Sequence, residues 1–250
     1  MADGFFNVYE DRARAEAYSR LEFPGTYYLA YRDLPAIIGK HVLGRSALDF
    51  GCGAGRSTRF LRKLGFEAVG VDISEQMIAR AKELDPQGDY EVVTEEGLLQ
   101  LPAGAFDLVQ SVFTFDNVPQ EEKVGLCRAL KRLLKQDGCL VSLVSTPEIY
   151  THEWASFSTK DFPGNWSAST GDKVMTVMLD VEDRRPVEDI FCRDEDYRSI
   201  YQEVGLTVVQ TYRPLGRLDE PHNWLNETEV APWIVYVLAL PNSPVTTESM

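Results

Sequence analysis

The chain has 250 residues, of which 44% are hydrophobic and 26% charged, and its formal net charge is −14 at pH 7. This length fits one α/β domain that buries most of its apolar surface. Contacts to nucleic-acid phosphates need clustered lysine and arginine, and here the 25 basic residues form no run. Nucleic acid is therefore excluded as a partner, and a small molecule is favoured.

The four cysteines, Cys52, Cys127, Cys139 and Cys192, are widely spaced and form no CxxC pair. We expect buried, reduced thiols and no metal site. The N-terminus lacks a basic segment followed by a long apolar one, and no run approaches the roughly 20 apolar residues of a membrane span. These features predict a cytoplasmic protein without membrane contact. We expect a monomer or a homodimer.

The first 40 residues predict a helical segment outside the minimal sheet. A helix is expected over about residues 11–20, and a Phe23-Pro24-Gly25 break separates it from the aromatic cluster Tyr27-Tyr28-Tyr31. We interpret this N-terminal part as a helical lid.

A glycine-rich turn follows in Asp49-Phe50-Gly51-Cys52-Gly53-Ala54-Gly55, between a buried strand and a helix predicted over residues 56–64. Glycines without Cβ atoms let the backbone turn tightly against a ligand. Free amide groups at the start of the helix favour an anionic ligand group there. A second strand, residues 68–72, ends at Asp72, whose carboxylate can accept hydrogen bonds from both hydroxyls of a ribose. The pattern predicts a nucleoside site.

The spacing around this turn narrows the choice of nucleoside. A dinucleotide fingerprint needs a third glycine where this chain has Arg56. A phosphate-binding P-loop needs lysine followed by serine or threonine, and Arg56-Ser57 is not that pair. Neither class fits the sequence.

Strands and helices alternate through the rest of the chain, which is typical of a doubly wound, mostly parallel α/β sheet. A predicted helix ends at Gly205. Two last strands follow it and bring the number of predicted strands to seven. The predicted strands are residues 90–93, 106–112, 139–145, 206–211 and 233–240, and the predicted helices include residues 121–135 and 194–204.

Residues 146–193 form an insertion after strand five. Its first half, around Trp154, mixes aromatic and polar residues as a pocket wall does. In its second half, apolar and polar residues alternate over residues 173–179 and 187–191. This alternation predicts an antiparallel hairpin that caps the cleft. We therefore divide one domain, residues 1–250, into a lid (1–40), a cofactor-binding core (41–145), a substrate cap (146–193), the C-terminal part of the sheet (194–240) and a flexible tail (241–250).

The run from Asp49 to Gly55 resembles the first motif of the class I S-adenosylmethionine-dependent methyltransferases, an acidic residue two before a Gly-x-Gly-x-Gly turn. The resemblance implies a Rossmann-like seven-stranded sheet and S-adenosylmethionine as cofactor, with S-adenosylhomocysteine as product. Residues 94–97 resemble the segment that lines the adenine in small-molecule members. The cofactor-binding residues implied are Asp49, Gly51, Cys52, Gly53, Gly55, Asp72, Ile73, Glu95, Glu96, Gly97, Ser111 and Tyr18.

In related small-molecule methyltransferases an N-terminal helix covers the cofactor, and a tyrosine packs near the methyl-bearing sulfur. Here Tyr9, Tyr18 and Tyr28 are the candidates. The loop after strand four lies beside the methyl group in this fold, which makes Asp116 and Asn117 the leading polar contacts for substrate. The substrate-binding candidates are Phe113, Phe115, Asn117, Tyr28 and Trp154.

A hydroxyl or ammonium acceptor requires a base. The catalytic candidates are His152, Asp116 and His222. The loop at residues 113–118 lacks the Asn-Pro-Pro-aromatic motif of enzymes that methylate exocyclic amines of bases or glutamine, which argues against those substrates.

The sequence thus predicts a methyltransferase that acts on an oxygen or nitrogen of a small organic acceptor by in-line displacement, in biosynthetic metabolism. Two alternatives stay open. One is a non-catalytic module that binds S-adenosylmethionine, and the other is a nicotinamide-dependent oxidoreductase on a similar sheet.

Overall fold

The computed structural model describes residue 16 and residues 21–241. Most of the predicted helix over residues 11–20, together with Tyr9 and Tyr18, lies outside these residues. The same holds for nearly all of the predicted tail.

Seven strands form one sheet, as predicted. They are β1 (Ser46–Phe50), β2 (Glu67–Asp72), β3 (Asp89–Val92), β4 (Phe106–Val112), β5 (Leu134–Ser145), β9 (Thr207–Tyr212) and β10 (Trp233–Ala239). Their order is β3-β2-β1-β4-β5-β10-β9, and all neighbouring pairs are parallel except those of β10. The order reverses between β1 and β4, and in open α/β sheets a ligand crevice forms beyond the carboxyl ends of the strands at such a point.

Seven helices accompany the sheet in the described residues: α1 (Gly25–Arg32), α2 (Leu34–His41), α3 (Arg56–Lys63), α4 (Glu75–Leu84), α5 (Glu95–Gln100), α6 (Gln120–Leu133) and α7 (Asp194–Glu203). The helices predicted to begin near residues 56, 121 and 194 correspond to α3, α6 and α7. The pattern did not resolve α1 and α2 as separate helices.

The central strands are buried on both faces, so their sequences read as continuous apolar runs. On β5, Val141 and Leu143 pack with α1 and α2 on one face, whereas Leu140 and Val144 pack with α6 and α7 on the other. All four side chains are fully buried. Residues 21–41 therefore contribute buried side chains such as Leu29, Leu34 and Ile38 to the core.

The insertion forms a separate antiparallel sheet of three strands: β6 (Phe157–Ser158), β7 (Lys173–Met178) and β8 (Val187–Ile190). The predicted hairpin is the β7–β8 pair. A hydrogen bond of 2.6 Å from Ile190 N to the Asp116 carbonyl ties β8 to the loop after β4. The cap thus sits at the carboxyl edge of the large sheet.

A buried carboxylate, Glu227, joins α1, the cap and the loop before β10. Its Oε1 accepts hydrogen bonds from Thr26 Oγ1 (2.6 Å) and Ala155 N (2.7 Å), and its Oε2 accepts one from Leu225 N (2.8 Å). Ser156 Oγ accepts a further bond from Thr26 N (2.8 Å). Since Glu227 is fully buried, these donors satisfy a charge that water does not reach.

We expect Glu227→Ala to lower the free energy of unfolding by about 2 kcal/mol, because it leaves the buried Thr26 hydroxyl and the partly buried Ala155 N–H and Leu225 N–H without their acceptor. Urea denaturation followed by circular dichroism measures this change. Glu229→Ala is the matched control, since Glu229 is exposed two residues away, and it should stay within about 0.5 kcal/mol of the parent protein. Equal losses in the two variants would contradict the anchoring role of Glu227.

Candidate functional site

One cavity runs along the carboxyl edge of the sheet from the glycine turn to the cap. Its first half is bordered by the turn and by residues after β2 and β3, and its second half by the loop after β4, by the cap and by the start of β10. Residues of the first half include Gly51, Gly53, Asp72, Ile73, Met77, Val93 and Leu98, and residues of the second include Tyr27, Phe113, Asp116, Asn117, Phe157, Asp189 and Trp233.

The glycines of the turn have different surroundings, although each has a positive φ. A Cβ on Gly51 would lie 2.2 Å from Thr114 Oγ1, so this glycine is required for packing inside the protein. A Cβ on Gly53, whose φ is +52°, would meet no atom within 4 Å. Among the glycines of the turn, only Gly53 thus has open space where a side chain would be, whereas Gly55 faces the ring of Tyr90.

Asp72 lies at the end of β2 beside Gly53. Its Oδ2 accepts a hydrogen bond from Gly53 N (2.8 Å) and its Oδ1 accepts one from Ser74 N (2.9 Å). Burial raises the pKa of this carboxyl above its usual range. Each oxygen retains a second lone pair, so the carboxylate can still accept bonds from ribose hydroxyls. Ile73, which is 56% exposed, continues the wall.

Asp49, expected to bind cofactor, is fully buried and does not line the cavity. Its Oδ2 accepts hydrogen bonds from Ser57 Oγ and Thr58 Oγ1, both at 2.6 Å, and Gln110 Nε2 lies 3.4 Å from its Oδ1. Burial raises its pKa. Because side chains alternate along β1, Asp49 faces α3 and not the cavity. Its role in this structure is to hold the first turn of α3 against β1.

Residues 94–97, the segment expected to line the adenine, do not line the cavity themselves, but the apolar residues on either side of them do. Val93 and Leu98 line the cavity, whereas Glu96 is exposed and Gly97 N is bound by the N-cap side chain of Thr94 at 3.2 Å. The side chain of Glu95 lies outside the description. Ser111, also expected at the cofactor, is fully buried within the sheet between Phe50 and Ser142.

A smaller cavity adjoins the turn at the start of α3 and includes Cys52, Gly53, Arg56 and Ser57. No side chain caps this helix end, since its N-cap residue is Gly55. The Arg56 guanidinium lies 5.0–5.9 Å from the ring centroids of Phe23, Tyr27 and Tyr31. Amide groups and a cation beside one small cavity suit an anionic ligand group, as the sequence predicts.

Aromatic rings form one wall of the cap half. The centroids of Phe113 and Trp233 are 4.6 Å apart, and those of Tyr27 and Phe157 are 5.1 Å apart. Phe113 has a φ of +63°, a strained conformation that non-glycine residues rarely adopt. Tyr27 lines the cavity in place of Tyr28, the tyrosine that the sequence analysis names on this helix. The side chains of successive helical residues point about 100° apart around the helix axis, so the two rings face different sides.

Several predicted site residues are not brought to the cavity. The ring of Tyr28 packs 4.6 Å from that of His222, which also lies 4.6 Å from the ring of Trp224. His152 Nδ1 lies 3.1 Å from Thr151 Oγ1 and 3.2 Å from the Glu148 carbonyl. Neither His152 nor His222 is among the residues that line the cavity.

Two predicted substrate contacts, Phe115 and Trp154, are core residues. Phe115 is 1% exposed and packs in the apolar cluster beneath β1. Trp154 is fully buried, and its indole N–H donates to the Ile149 carbonyl at 2.9 Å. Their rings stabilise the walls from behind and do not line the cavity.

Asp116 and Asn117 do line the cavity, and an aspartate that the sequence did not single out lies there too. Asp116 Oδ2 accepts hydrogen bonds from Ser145 N (3.0 Å) and Ser145 Oγ (2.9 Å), and burial raises the pKa of Asp116 to about 6. Asp189, on β8, accepts a bond from the Tyr150 hydroxyl (3.3 Å). Burial, and then the neighbouring Asp116, raise its pKa well above the usual range. Only folding of the cap brings Asp189 to this position.

A membrane-spanning helix and a group of metal ligands are both absent from residue 16 and residues 21–241. These residues contain no helix long and apolar enough to cross a membrane. Within the same part of the chain, no three His, Cys, Asp or Glu side chains are grouped to hold a metal ion.

Comparison with known proteins agrees with this geometry. A family model described as a methyltransferase domain matches residues 48–142, which contain the glycine turn and Asp72. These residues are similar to methyltransferase domains, as the resemblance to S-adenosylmethionine-dependent methyltransferases predicts. A methyltransferase of Synechocystis sp. that is named for 2-methyl-6-phytyl-1,4-hydroquinone is 39% identical over 101 residues, 39% of this chain and 31% of that protein. A ubiquinone biosynthesis O-methyltransferase of Methylococcus capsulatus is 28% identical over 151 residues, 51% of this chain and 63% of that protein.

Solved structures share the fold of this chain at low sequence identity. The PH0226 protein of Pyrococcus horikoshii has a TM-score of 0.64 and 18% identity, covering 95% of this chain and 100% of that one. An S-adenosylmethionine-dependent methyltransferase of Clostridium acetobutylicum has a TM-score of 0.58 and 13% identity, covering 94% and 99%. The matches to the two curated relatives above span less than two thirds of each relative's length.

The residues present fit the cofactor of this class. The open backbone at Gly53 leaves room for a ligand that a side chain would exclude. Asp72 has lone pairs for ribose hydroxyls beside the hydrogen bonds that it accepts from Gly53 N and Ser74 N. Apolar residues beyond Asp72, including Ile73, Val93 and Leu98, suit a flat base.

We expect Gly53→Ala to weaken binding of S-adenosylmethionine at least tenfold, because its Cβ would occupy ligand space. Gly104→Ala is the matched control, since Gly104 also has a positive φ (+64°) and room for a Cβ, but does not line the cavity. Both variants should lose about 1 kcal/mol of stability from backbone strain. Isothermal titration calorimetry measures the affinity of each variant for S-adenosylmethionine. Equal affinity in the two variants would mean that the ligand does not bind at Gly53.

Proposed function

We propose that this methyltransferase transfers the methyl group of S-adenosylmethionine to a hydroxyl oxygen of a small, flat, uncharged organic acceptor, in biosynthetic metabolism. The observation that carries the proposal is the single cavity that joins Gly53 and Asp72 to Asp116 and Asn117. A cavity of this kind lets a cofactor and an acceptor lie next to each other, away from water.

The protein contributes position and solvent exclusion. S-adenosylmethionine supplies a methyl group on a positively charged sulfur when bound. Gly53 and Asp72 hold the nucleoside side, and the rings of Phe113 and Trp233 orient a flat acceptor from the cap side. The polar groups after β4 then hold the acceptor hydroxyl, which fixes the direction of attack.

The charge of the cavity selects among acceptors. Four carboxyl residues line it, Asp72, Asp116, Glu122 and Asp189, and no lysine, arginine or histidine is among its described lining residues. An acceptor that carries a carboxylate would meet like charges in a partly desolvated site. The names of the curated relatives, a hydroquinone methyltransferase and O-methyltransferases, support a neutral ring with hydroxyl groups.

The cellular compartment and the class of substrate that we propose rest on the burial of the cysteines and on the net charge. All four cysteines are buried and free, which supports a reducing compartment such as the cytoplasm. The formal net charge of −14 argues against nucleic acid as a substrate. The acceptor is therefore a small molecule, and the protein acts as a monomer or homodimer.

Transfer of a radiolabelled methyl group tests the proposal with two rings that differ by one carboxylate, hydroquinone and 2,5-dihydroxybenzoate. We expect kcat/KM for hydroquinone to be higher by about tenfold or more, since one unfavourable charge contact of about 1.4 kcal/mol already gives that factor. Equal or faster transfer to the carboxylated ring would contradict the charge selection.

The alternatives predict different results in the same experiment. Tight binding of S-adenosylmethionine without transfer to any acceptor would indicate a non-catalytic binding module. Saturable binding of a nicotinamide dinucleotide, with none of S-adenosylmethionine, would indicate an oxidoreductase.

A further inference from the structure

Strand β7 of the cap presents one of its faces to the acceptor half of the cavity. Side chains alternate along a strand, so Val174, Thr176 and Met178 lie on the same face, and all three are buried. Thr176 and Met178 line the cavity together with Val187, which pairs with Thr176 across the β7–β8 ladder. Thr176 thus places a hydroxyl group on an otherwise apolar part of the wall, and the sequence pattern did not single it out.

The hydroxyl of Thr176 differs from the other hydroxyl groups of the cavity. The lining residues that carry a hydroxyl are Tyr27, Thr114, Ser145 and Thr176. The first three donate hydrogen bonds within the protein, at 3.3 Å to Met178 Sδ, at 3.0 Å to the Phe50 carbonyl and at 2.9 Å to Asp116 Oδ2. Within residue 16 and residues 21–241, Thr176 Oγ1 has no hydrogen-bond partner.

This unpartnered hydroxyl is not sealed inside the protein. The unpartnered side-chain atoms of the described residues that are closed off from solvent are His41 Nδ1, Gln110 Oε1, Ser111 Oγ, Gln120 Oε1 and Arg132 Nε. Thr176 Oγ1 is not one of them, so this oxygen keeps accessible surface although the whole residue is only 3% exposed. The cavity is the open space that Thr176 lines, and its hydroxyl therefore faces that space.

The surroundings of this hydroxyl indicate what it can bind. Its neighbours on the same face, Met178 and Val187, are apolar, and a polar group that is taken out of water needs a hydrogen-bond partner. In a mostly apolar pocket, a single polar group of this kind fixes the orientation of the ligand. A hydroxyl group can both donate and accept, so an oxygen atom of the ligand is a suitable partner.

We propose that Thr176 is a specificity-determining residue of the cap, and that its hydroxyl binds a second oxygen substituent of the acceptor, one that is not methylated. This inference rests on the proposed function, in which the polar groups after β4 hold the hydroxyl that attacks. The sheet edge and the cap then each hold one oxygen, and the ring lies between them. An acceptor with a single oxygen leaves Thr176 without a partner.

Pairs of rings that differ in one group test this inference. Each of the isomeric dihydroxybenzenes is compared with the methylphenol of the same substitution pattern, in which a methyl group of similar size replaces the second hydroxyl. The ratio of kcat/KM values within a pair measures the preference for the second oxygen. For the isomer whose second oxygen reaches Thr176, we expect the parent enzyme to prefer the dihydroxybenzene by about tenfold or more, mainly through KM.

Two variants of Thr176 assign that preference to its hydroxyl. Thr176→Val keeps the branched shape and removes the hydroxyl, so it should lower the ratio about tenfold. Thr176→Ser keeps the hydroxyl and should retain the preference. The intrinsic reactivity of each ring is the same for every variant, so a change in the ratio reports the contact with the protein. An unchanged ratio in Thr176→Val would overturn the proposal.

The matched control is Thr159→Val. Thr159 is a second buried threonine of the cap, but it does not line the cavity, and its hydroxyl donates to the His152 carbonyl at 2.9 Å. This variant should unfold at a lower temperature than the parent protein and keep the parent ratio. Thr176→Val should unfold at a temperature no lower than that of the parent, because no bond within the protein is lost. A loss of stability in Thr176→Val as large as that in Thr159→Val would mean that the Thr176 hydroxyl is structural.

A binding measurement separates this inference from the proposed function. Nuclear magnetic resonance titration of the complex with S-adenosylhomocysteine gives a dissociation constant for each ring without turnover, and we expect the same preference in the parent protein and its loss in Thr176→Val. If the rings bind but no methyl group is transferred from S-adenosylmethionine, the proposed function is wrong, and the dissociation constants still decide the role of Thr176. Equal dissociation constants within every pair in the parent protein would overturn the inference about Thr176.

Discussion

The buried carboxylate of Asp49 is the contact on which the site depends. It accepts hydrogen bonds from Ser57 and Thr58 in the first turn of α3, so the central strand and this helix can join in only one way. That junction leaves the glycine turn little freedom, and it presents Gly53 and the uncapped start of α3 to the ligand side. The acidic residue of the motif therefore acts through the backbone that it positions.

Several carboxyl groups at the site are less acidic in the folded protein than in water, and this has a cost in stability. The pKa of Asp116 rises from 3.8 to about 6 on folding, because burial disfavours the charged form. Its contribution to stability is complete below pH 4 and is lost as the pH rises through about 6. At neutral pH the fold thus holds a carboxylate under strain, which is common where a base is needed. The anchors on Asp116 from Ser145 offset part of that cost.

The acceptor half of the cavity includes residues that reach it only when the cap folds against the large sheet. Phe157 and Asp189 reach the cavity from β6 and β8, whereas Trp233 comes from β10 and Tyr27 from α1. These four elements and the loop after β4 therefore build the acceptor half, while the cofactor half comes mostly from the segment between β1 and α5. Enzymes that share one fold can act on different small molecules when the residues of the acceptor half change and those of the cofactor half stay the same.

That the glycine turn and Asp72 lie together at one end of the cavity could be predicted, because these residues are close in sequence. Gly51, Gly53 and Asp72 lie within one strand–turn–helix–strand unit, and the alternation of strands and helices already determines that parallel strands bring their carboxyl ends to one edge. The acceptor half depended on tertiary packing. Helical rotation decides that Tyr27 and not Tyr28 faces the cavity, loop paths turn His152 and His222 away from it, and packing buries Phe115 and Trp154. Asp189 joins Asp116 only through contacts between distant segments, and no sequence period records such contacts.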